Sequence, residues 1–448
     1  MAKKKRKIKG LNVTTIILFS FLLVILLGAG LLVLPFSSGS GQWTDFTTAL
    51  FTATSATCVT GLIVVDTGTY WSTFGKVVIL LLIQIGGLGI MTIISLIAII
   101  FAKSSSLRSR NIAMQAAGAE SYQTIKAILV NIFVGTAVSE FIGAVVLSIR
   151  FIPKFGVLKG IGLSFFHSIS AFCNAGFDIF GTDNGGSLMQ FADDPLVLIT
   201  IALLIIVGGI GFIVWGDVVK HGVHLKKYTF HSKITLSMTL ILLVFGTGFF
   251  WLSEKNFAFE NMPVAKQALH AFFQATTLRT AGFAAVDQAN LSSSGTMVSY
   301  VLMFIGGSSG STAGGIKTTT FAVLVLTFIT TIGRREHIVI FKKKISDKSI
   351  KDALAIATIY LFVVISATIA ICIIDGFTAA DTLFETVSAM GTVGLTKGIT
   401  SGLSPASRYI IILLMFVGRI GGLSFILAFS KTQKSMTTER PNGPVIIG

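Results

Sequence analysis

Charged residues are scarce in this chain. Asp, Glu, Lys and Arg together make up 12% of its 448 residues, whereas hydrophobic residues make up 53% and the mean hydropathy is +0.84. A soluble domain typically carries about 25% charged residues. The composition therefore excludes an ordinary water-soluble protein and indicates an integral membrane protein.

Cysteines and catalytic motifs are equally scarce. The three cysteines, Cys58, Cys173 and Cys372, include no CxxC pair, so neither a disulfide framework nor a structural metal site is predicted. The six histidines show no metal-ligand spacing. The sequence also lacks a Walker motif, a GxGxxG segment with its acidic partner, and a nucleophile–base set. The chain is therefore not predicted to be an enzyme.

Long apolar runs are abundant instead. A spanning helix needs about 20 mostly apolar residues. Eight runs qualify: 13–35, 77–102, 125–151, 195–219, 234–252, 297–332, 353–374 and 407–429. The first run is too long for the apolar part of a cleaved signal peptide and lacks a small-residue cleavage site, so we expect it to be retained.

The formal net charge of +16 could suggest nucleic-acid binding. The basic residues, however, are not interleaved with aromatic ones; they lie between the apolar runs, which is typical of cytoplasmic loops. Five clusters occupy 3–9, 103–110, 220–233, 334–351 and 431–440. Two crossings between successive clusters give eight transmembrane helices with both termini in the cytoplasm, and no nucleic acid is expected as a partner.

Four short segments with a common pattern lie between the paired runs: ATCVTGL, AFCNAGF, TLRTAGF and MGTVGLT. Their glycines are Gly61, Gly176, Gly282 and Gly394, at intervals of 115, 106 and 112 residues (176 − 61, 282 − 176 and 394 − 282). Ten positions before these glycines stand Phe51, Phe166, Phe272 and Phe384, and six positions before them stand Ser55, Ser170, Thr276 and Ser388. These coincidences indicate a fourfold internal repeat.

Each repeat is predicted to contain a helix, a short pore helix, a glycine-containing extended stretch and a second helix. The boundaries are 1–110, 111–232, 233–346 and 347–448. The middle helix is too short to span the membrane, so it must be re-entrant, and irregular backbone at this depth must be buried in protein or line a watery cavity. We therefore expect an all-α membrane protein in which four helix–pore loop–helix repeats surround a central pore.

Such loops have a definite chemical use. A ring of backbone carbonyls can replace the hydration shell of a monovalent cation, and TVG-type strands do this in potassium channels. Glycine adopts conformations that other residues avoid and keeps side chains out of the ion path. The C-terminal ends of the short helices add partial negative charge. The four segments are therefore predicted to select a cation without acidic side chains.

The segments CVTG, CNAG, RTAG and TVGL, taken together, resemble the filter motifs of the Trk/Ktr/HKT superfamily of potassium transporters, and most closely those of the membrane subunit of bacterial Ktr systems. The resemblance covers nearly the whole chain and implies potassium uptake across the cell (plasma) membrane. The implied selectivity-filter residues are Val59, Thr60, Gly61, Asn174, Ala175, Gly176, Thr280, Ala281, Gly282, Thr392, Val393 and Gly394. In this family a serine at the first filter glycine is associated with sodium preference, so Gly61 favours potassium.

Residues 306–318 read GGSSGSTAGGIKT, too rich in glycine and hydroxyl groups for an unbroken helix. A small-residue packing face is one interpretation. The resemblance implies instead an intramembrane gate loop below the filter, made of Gly306, Gly307, Ser308, Ser309, Gly310, Ser311, Thr312, Ala313, Gly314, Gly315 and Lys317. It also implies that Arg419 lies beside this loop, although an arginine in an apolar run can extend to the membrane interface.

Five other polar residues have open interpretations. Glu140 could pair with a basic residue or serve a subunit interface. Arg279 is expected to brace the pore helices, since it would repel the ion. Asp178 and Asp287 could concentrate cations at the outer mouth or be ordinary solvated loop residues. The role of Glu385 in the fourth pore helix is open.

The resemblance further implies a homodimer with one pore per protomer, Na⁺ as an activating ion, and a KtrA-like ring of cytosolic RCK-type subunits. That ring would hold the nucleotide (ATP, ADP or NAD), because no cytoplasmic segment of this chain is long enough for a regulatory domain. The basic loops are candidate docking surfaces for the ring, and anionic membrane lipids are an equally physical partner.

An alternating-access carrier of another small solute is the competing function. Such carriers also use broken helices near the membrane midplane, but they build them from paired inverted repeats. Four repeats that all return to the same side favour a pore. A membrane scaffold without transport would not need four glycine-ended loops.

Overall fold

The computed structural model describes residues 13–89, 122–181, 186–422 and 425. Within these ranges the chain is mostly helical, and its one small sheet is an antiparallel hairpin of Val339–Ile340 (β1) and Lys343–Lys344 (β2). The predicted all-α membrane fold is confirmed. The basic clusters at 3–9, 103–110 and 431–440, and the predicted repeat boundary at 110/111, lie outside the described residues.

The helices follow one another in four groups. The first group contains α1 (Val13–Val33), α2 (Phe46–Cys58), α3 (Thr67–Tyr70) and α4 (Thr73–Leu88). The second contains α5 (Tyr122–Phe155), α6 (Val157–Phe172), α7 (Pro195–Gly209) and α8 (Phe212–His221). The third contains α9 (Phe230–Glu254), α10 (Val264–Thr277), α11 (Ser293–Phe304) and α12 (Thr318–Ile332). The fourth contains α13 (Asp347–Asp375), α14 (Ala379–Gly391) and α15 (Pro405–Ile420).

The first helix of each group contains a stretch long and apolar enough to cross a membrane. These stretches are Thr15–Val33, Leu129–Phe155, Phe230–Glu254 and Asp347–Asp375. The second spans are shorter or interrupted, and those predicted at 77–102 and 407–429 extend into residues that the structure does not describe. The chain is thus a multi-pass membrane protein, while the count of eight crossings stays a prediction.

The second span of the second group differs from the single apolar helix expected over 195–219. Its two parts, α7 and α8, meet at 95°. Gly211, between them, has a φ of +95°, a conformation that continues neither helix and that glycine adopts at low cost. Hydropathy could not reveal this bend, because an apolar run scores the same whether it is straight or broken.

The short helices α2, α6, α10 and α14 lie in the interior. Phe51, Phe166 and Phe384 are at most 3% exposed, as their shared position suggests, but in the third group the buried residue is Phe273 and not the aligned Phe272. The reason is a shorter connection: the Ala281 N–H donates to the carbonyl four residues earlier, whereas its counterparts in the other groups donate to the carbonyl five residues earlier. The third pore helix is therefore displaced by one residue relative to its glycine.

Candidate functional site

All four short helices end in a turn of the same backbone geometry. Two residues before the glycine the backbone is left-handed, with φ of 57° at Val59, 59° at Asn174, 66° at Thr280 and 51° at Thr392. The four glycines are left-handed too, with φ between 69° and 97°, and the residue between each pair has no positive φ. Left-handed residues other than glycine are uncommon. The alternation rotates successive peptide planes, so that neighbouring carbonyls can face the same side.

The four turns meet in a closed ring. A Cβ built on Gly61 would lie 2.5 Å from the Ala175 carbonyl oxygen and 3.2 Å from the Gly176 Cα. The same kind of contact, at most 2.6 Å from a carbonyl oxygen, joins Gly176 to Ala281, Gly282 to Val393 and Gly394 to Thr60. Because the last turn returns to the first, the segments predicted to form the filter share one centre, with no room for side chains at the glycines.

Hydroxyl groups at the ends of the pore helices hold the turns in place. Ser55 and Ser388 Oγ each accept a hydrogen bond from the N–H of the glycine in their turn, at 3.1 Å. Ser170 Oγ instead donates to the Phe177 carbonyl, at 2.7 Å. In the third turn the equivalent donor is Thr277, at 2.7 Å from the Phe283 carbonyl, whereas the aligned Thr276 bonds back into its own helix.

A cavity of about 520 Å³ opens above the ring. The four glycines line it together with three carboxylate residues, Asp66, Asp178 and Asp287, and with one basic residue, Lys397. Asp66 accepts from the Thr69 N–H at 2.7 Å and Asp287 from the Ala289 N–H at 3.0 Å, so both also order the loops that carry them. The sequence pointed to Asp178 and Asp287 but missed Asp66, which follows its glycine by the same five residues as Asp287.

On the other side of the ring, residues 306–317 form an irregular loop held by hydrogen bonds to neighbouring groups. Ser308 N–H donates to the Gly209 carbonyl at 3.0 Å, and the Gly310 carbonyl accepts from the Phe212 N–H at 2.8 Å. The bend between α7 and α8 thus leaves free the polar backbone groups that this loop satisfies. The GGIG stretch at 208–211 is a signal in the sequence that the hydropathy reading of 195–219 overlooked.

The loop also lies directly against the ring. Thr312 Oγ1 lies 3.2 Å from the Phe172 carbonyl and 3.3 Å from the Asn174 side-chain amide, and both groups belong to the second turn or its helix. On the fourth turn, a Cβ on Gly314 would collide with Thr392. Ser308 and Thr312 are fully buried. The loop therefore packs against two of the four turns.

Two cationic side chains accompany the loop. Arg419 donates to the Thr312 carbonyl and to the Gly86 and Gly87 carbonyls at the end of α4, the last at 3.3 Å. Lys317 Nζ donates to the Ala313 carbonyl at 2.7 Å. Among the described residues, all the acceptors that the structure records for these two groups are neutral backbone carbonyls.

The three other polar residues lie behind the turns. Glu140 accepts from the Gln84 amide at 3.0 Å, so in the described region its partner is an amide and not the basic residue that the sequence left open. Arg279 reaches Thr239 on α9 at 3.5 Å and lines a small cavity together with Asn174 and Gly307. Glu385 is buried in α14 and accepts from the loop after the fourth turn.

Comparisons with known proteins agree with this geometry. A model of the TrkH family, described as a cation transport protein, matches residues 3–440. The chain is 40% identical to Ktr system potassium uptake protein B of Vibrio alginolyticus, over 99% of this chain and 97% of that protein. It is 37% identical to the potassium/sodium uptake protein NtpJ of Enterococcus hirae, over 99% of both.

The fold has a solved counterpart. The crystal structure of the potassium transporter TrkH from Vibrio parahaemolyticus superposes with a TM-score of 0.72, at 16% identity, and covers 96% of this chain and 87% of that one. Sequence and fold comparisons thus agree, and the chain belongs to the TrkH family of cation transport proteins.

Proposed function

We propose that the chain takes up potassium ions across the plasma membrane through the ring of the four turns. The closed ring carries the proposal: each glycine lies against the carbonyl that precedes the next glycine. Main-chain oxygens around a common opening can replace the water shell of a dehydrated K⁺. The family is one of cation transport proteins, which also confirms that the chain is not an enzyme.

The filter consists of three residues from each turn, ending at Gly61, Gly176, Gly282 and Gly394. The pore helices point their negative C-terminal ends at the centre, and the hydroxyls of Ser55 and Ser388 fix the peptide planes next to the ring. Glycine at all four positions leaves the opening wide, which suits K⁺ better than the smaller Na⁺. The acidic residues of the cavity raise the local concentration of cations before they enter.

The loop 306–317 acts as a gate in this proposal. It lies below the ring, and two basic side chains, Arg419 and Lys317, lie beside it. A cation leaving the filter toward the cytoplasm would meet both the loop and the Arg419 guanidinium. The loop is held by hydrogen bonds rather than by a continuous helix, so it can be displaced without unfolding a transmembrane segment.

Regulation and assembly belong to the same proposal. The similar protein from Vibrio alginolyticus is named as part of a Ktr system, which supports a cytosolic RCK-type partner that binds a nucleotide. The name of the similar NtpJ includes sodium, which supports a role for Na⁺, as activator or as second cargo. Two chains would form a homodimer with one pore each, with both termini in the cytoplasm. The chain would consist of four repeat units, with boundaries at 110/111, 232/233 and 346/347.

Complementation tests the proposed function. A bacterium that cannot take up potassium should grow at low external K⁺ when it expresses this chain with its partner. Gly61→Ser places a side chain against the Ala175 carbonyl and should reduce K⁺ selectivity. Gly248→Ser is the matched control, because no atom lies within 4 Å of a Cβ at that position and its φ is not positive.

Two results would overturn the proposal. One is a wild-type chain, present in the membrane in normal amount, that supports neither growth nor Rb⁺ uptake. The other is a Gly61→Ser chain as selective for K⁺ over Na⁺ as its parent, because the ring geometry allows no side chain there without movement of the neighbouring turn.

A further inference from the structure

Glu385 is a fully buried carboxylate directly behind the fourth turn. It lies in α14, nine residues before Gly394, and is 1% exposed. Its Oε1 accepts from the Thr396 hydroxyl and, at 3.2 Å, from the Lys397 N–H. Its Oε2 accepts from the Thr400 hydroxyl at 2.8 Å. The Glu385 side chain thus links the pore helix α14 to the segment 396–400, which follows the fourth turn.

The other turns have different groups in this place. In the third, Gln274 bonds to Gln288 at 2.6 Å, and Gln288, like Thr400, stands six residues after its glycine. In the second, the ring of His167 stacks on Phe180, with centroids 4.0 Å apart. In the first turn, Thr52 bonds only within its own helix.

Glu385 differs from the residues at the equivalent position of the other turns in the number of residues to which it bonds. Three residues after the fourth turn bond to the single Glu385 side chain, whereas Gln274 bonds to one residue after the third turn. Among the described parts of the four turns, Glu385 therefore holds more residues of the segment after its glycine than the group at the equivalent position elsewhere.

The residues that Glu385 holds are connected to the ring through a short piece of backbone. Thr396 follows Gly394 by two residues, and Gly394 lies against the Thr60 carbonyl of the first turn. A shift of the 396–400 segment would therefore displace Gly394 relative to the Thr60 carbonyl of the first turn, and the Val393 carbonyl relative to Gly282 of the third turn. We therefore expect the position of this segment to affect the ring at both contacts of the fourth turn.

We propose that Glu385 is a positioning residue for ion selection: by holding Thr396, Lys397 and Thr400 it sets the spacing of the Val393 and Gly394 carbonyls in the ring. It does not contact the ion. The inference rests on the proposed filter function, and it predicts that loss of this acceptor changes selectivity more than it changes the amount of folded protein.

The test uses the full-length chain in potassium-uptake-deficient cells. Glu385→Gln keeps the shape but replaces one acceptor oxygen with a donor. Thr400→Val removes a single hydroxyl and leaves the carboxylate in place. The measured quantity is the Na⁺ concentration that halves Rb⁺ uptake, with the amount of chain in the membrane measured by immunoblot.

Glu254 provides a matched control. It is equally buried, at 0% exposed, and accepts from the Ser292 hydroxyl and N–H at the start of α11, away from the ring. Glu254→Gln should lower the amount of folded chain without changing the Na⁺ concentration for half-inhibition. Glu385→Gln should lower that concentration about tenfold and Thr400→Val about threefold, because the first variant disturbs three hydrogen bonds and the second removes one.

Gly394→Ser distinguishes a failure of the positioning role from a failure of the proposed filter. If Gly394→Ser lowers the half-inhibiting Na⁺ concentration while both Glu385→Gln and Thr400→Val leave it unchanged, the positioning role is wrong and the filter stands. If Gly394→Ser also leaves it unchanged, the filter itself is wrong. If Glu385→Gln fails to reach the membrane, Thr400→Val decides alone: an unchanged value overturns the positioning role.

Discussion

Arg419, in the last turn of α15, donates hydrogen bonds to the carbonyl of Thr312 in the loop and to that of Gly86 at the end of α4. One side chain thus joins the first and fourth helical groups to a loop of the third. An arginine at membrane depth is costly unless it faces the protein interior and finds acceptors. Here the acceptors recorded among the described residues are backbone carbonyls, which solvate the guanidinium.

Replacing this arginine should open the pathway. Arg419→Ala removes both the positive charge and the bonds that hold the loop, so Rb⁺ uptake without the partner subunit should rise several-fold. Arg408→Ala is the control on the same helix, because Arg408 donates to the Ser401 carbonyl and not to the loop. Uptake by Arg419→Ala no higher than by Arg408→Ala would contradict the barrier.

Removing the loop tests the gate without changing the arginine. Deletion of residues 308–314 takes away the segment that packs against Asn174 and Thr392. Rb⁺ uptake in cells that lack the partner subunit should then exceed that of the intact chain. Equal uptake, with both chains present in similar amounts in the membrane, would show that the loop does not block the path.

The bend between α7 and α8 should depend on Gly211. An alanine there would have to adopt a φ of +95° and place its Cβ 2.9 Å from the Ser309 carbonyl oxygen. Sparsely populated backbone conformations of this kind cost residues with a Cβ about 1–3 kcal/mol, so Gly211→Ala should lower the melting temperature of the purified chain in detergent.

The matched variant is Gly216→Ala in α8. Its φ is not positive and no atom lies within 4 Å of an added Cβ, so alanine should be neutral or slightly stabilising within the helix. Equal melting temperatures for Gly211→Ala and Gly216→Ala would mean that the bend does not need glycine.

The sequence was most informative where function requires a rare residue at a fixed place. The four ring glycines were found from the short segments that they end, from their spacing and from the residues repeated before them, because only glycine fits where the neighbouring turn approaches so closely. The buried phenylalanines and the hydroxyls at the pore-helix ends repeated for a similar reason in three of the four groups. A steric requirement that recurs along the chain produces a repeated residue pattern, which can be recognised from the sequence without a structure.

The features that were missed depend on contacts between groups distant in the chain. In the third group the connection between the pore helix and its glycine is one residue shorter, so Phe273 and Thr277 take the places expected for Phe272 and Thr276. Alignment of the four segments on their glycines does not show this difference. The 95° bend at Gly211 was hidden in an apolar run, since its free backbone groups are satisfied by a loop about one hundred residues later. Glu385 stayed undecided because its three donors follow it by more than ten residues.

Anomalous X-ray diffraction from bound Rb⁺ tests the proposed filter most directly. Crystals of the full-length chain grown with Rb⁺ in place of K⁺ should show anomalous density inside the ring, bounded by the carbonyls of Thr60, Ala175, Ala281 and Val393. Ions found only in the outer cavity beside Asp66, Asp178 and Asp287, with none inside the ring, would contradict the account.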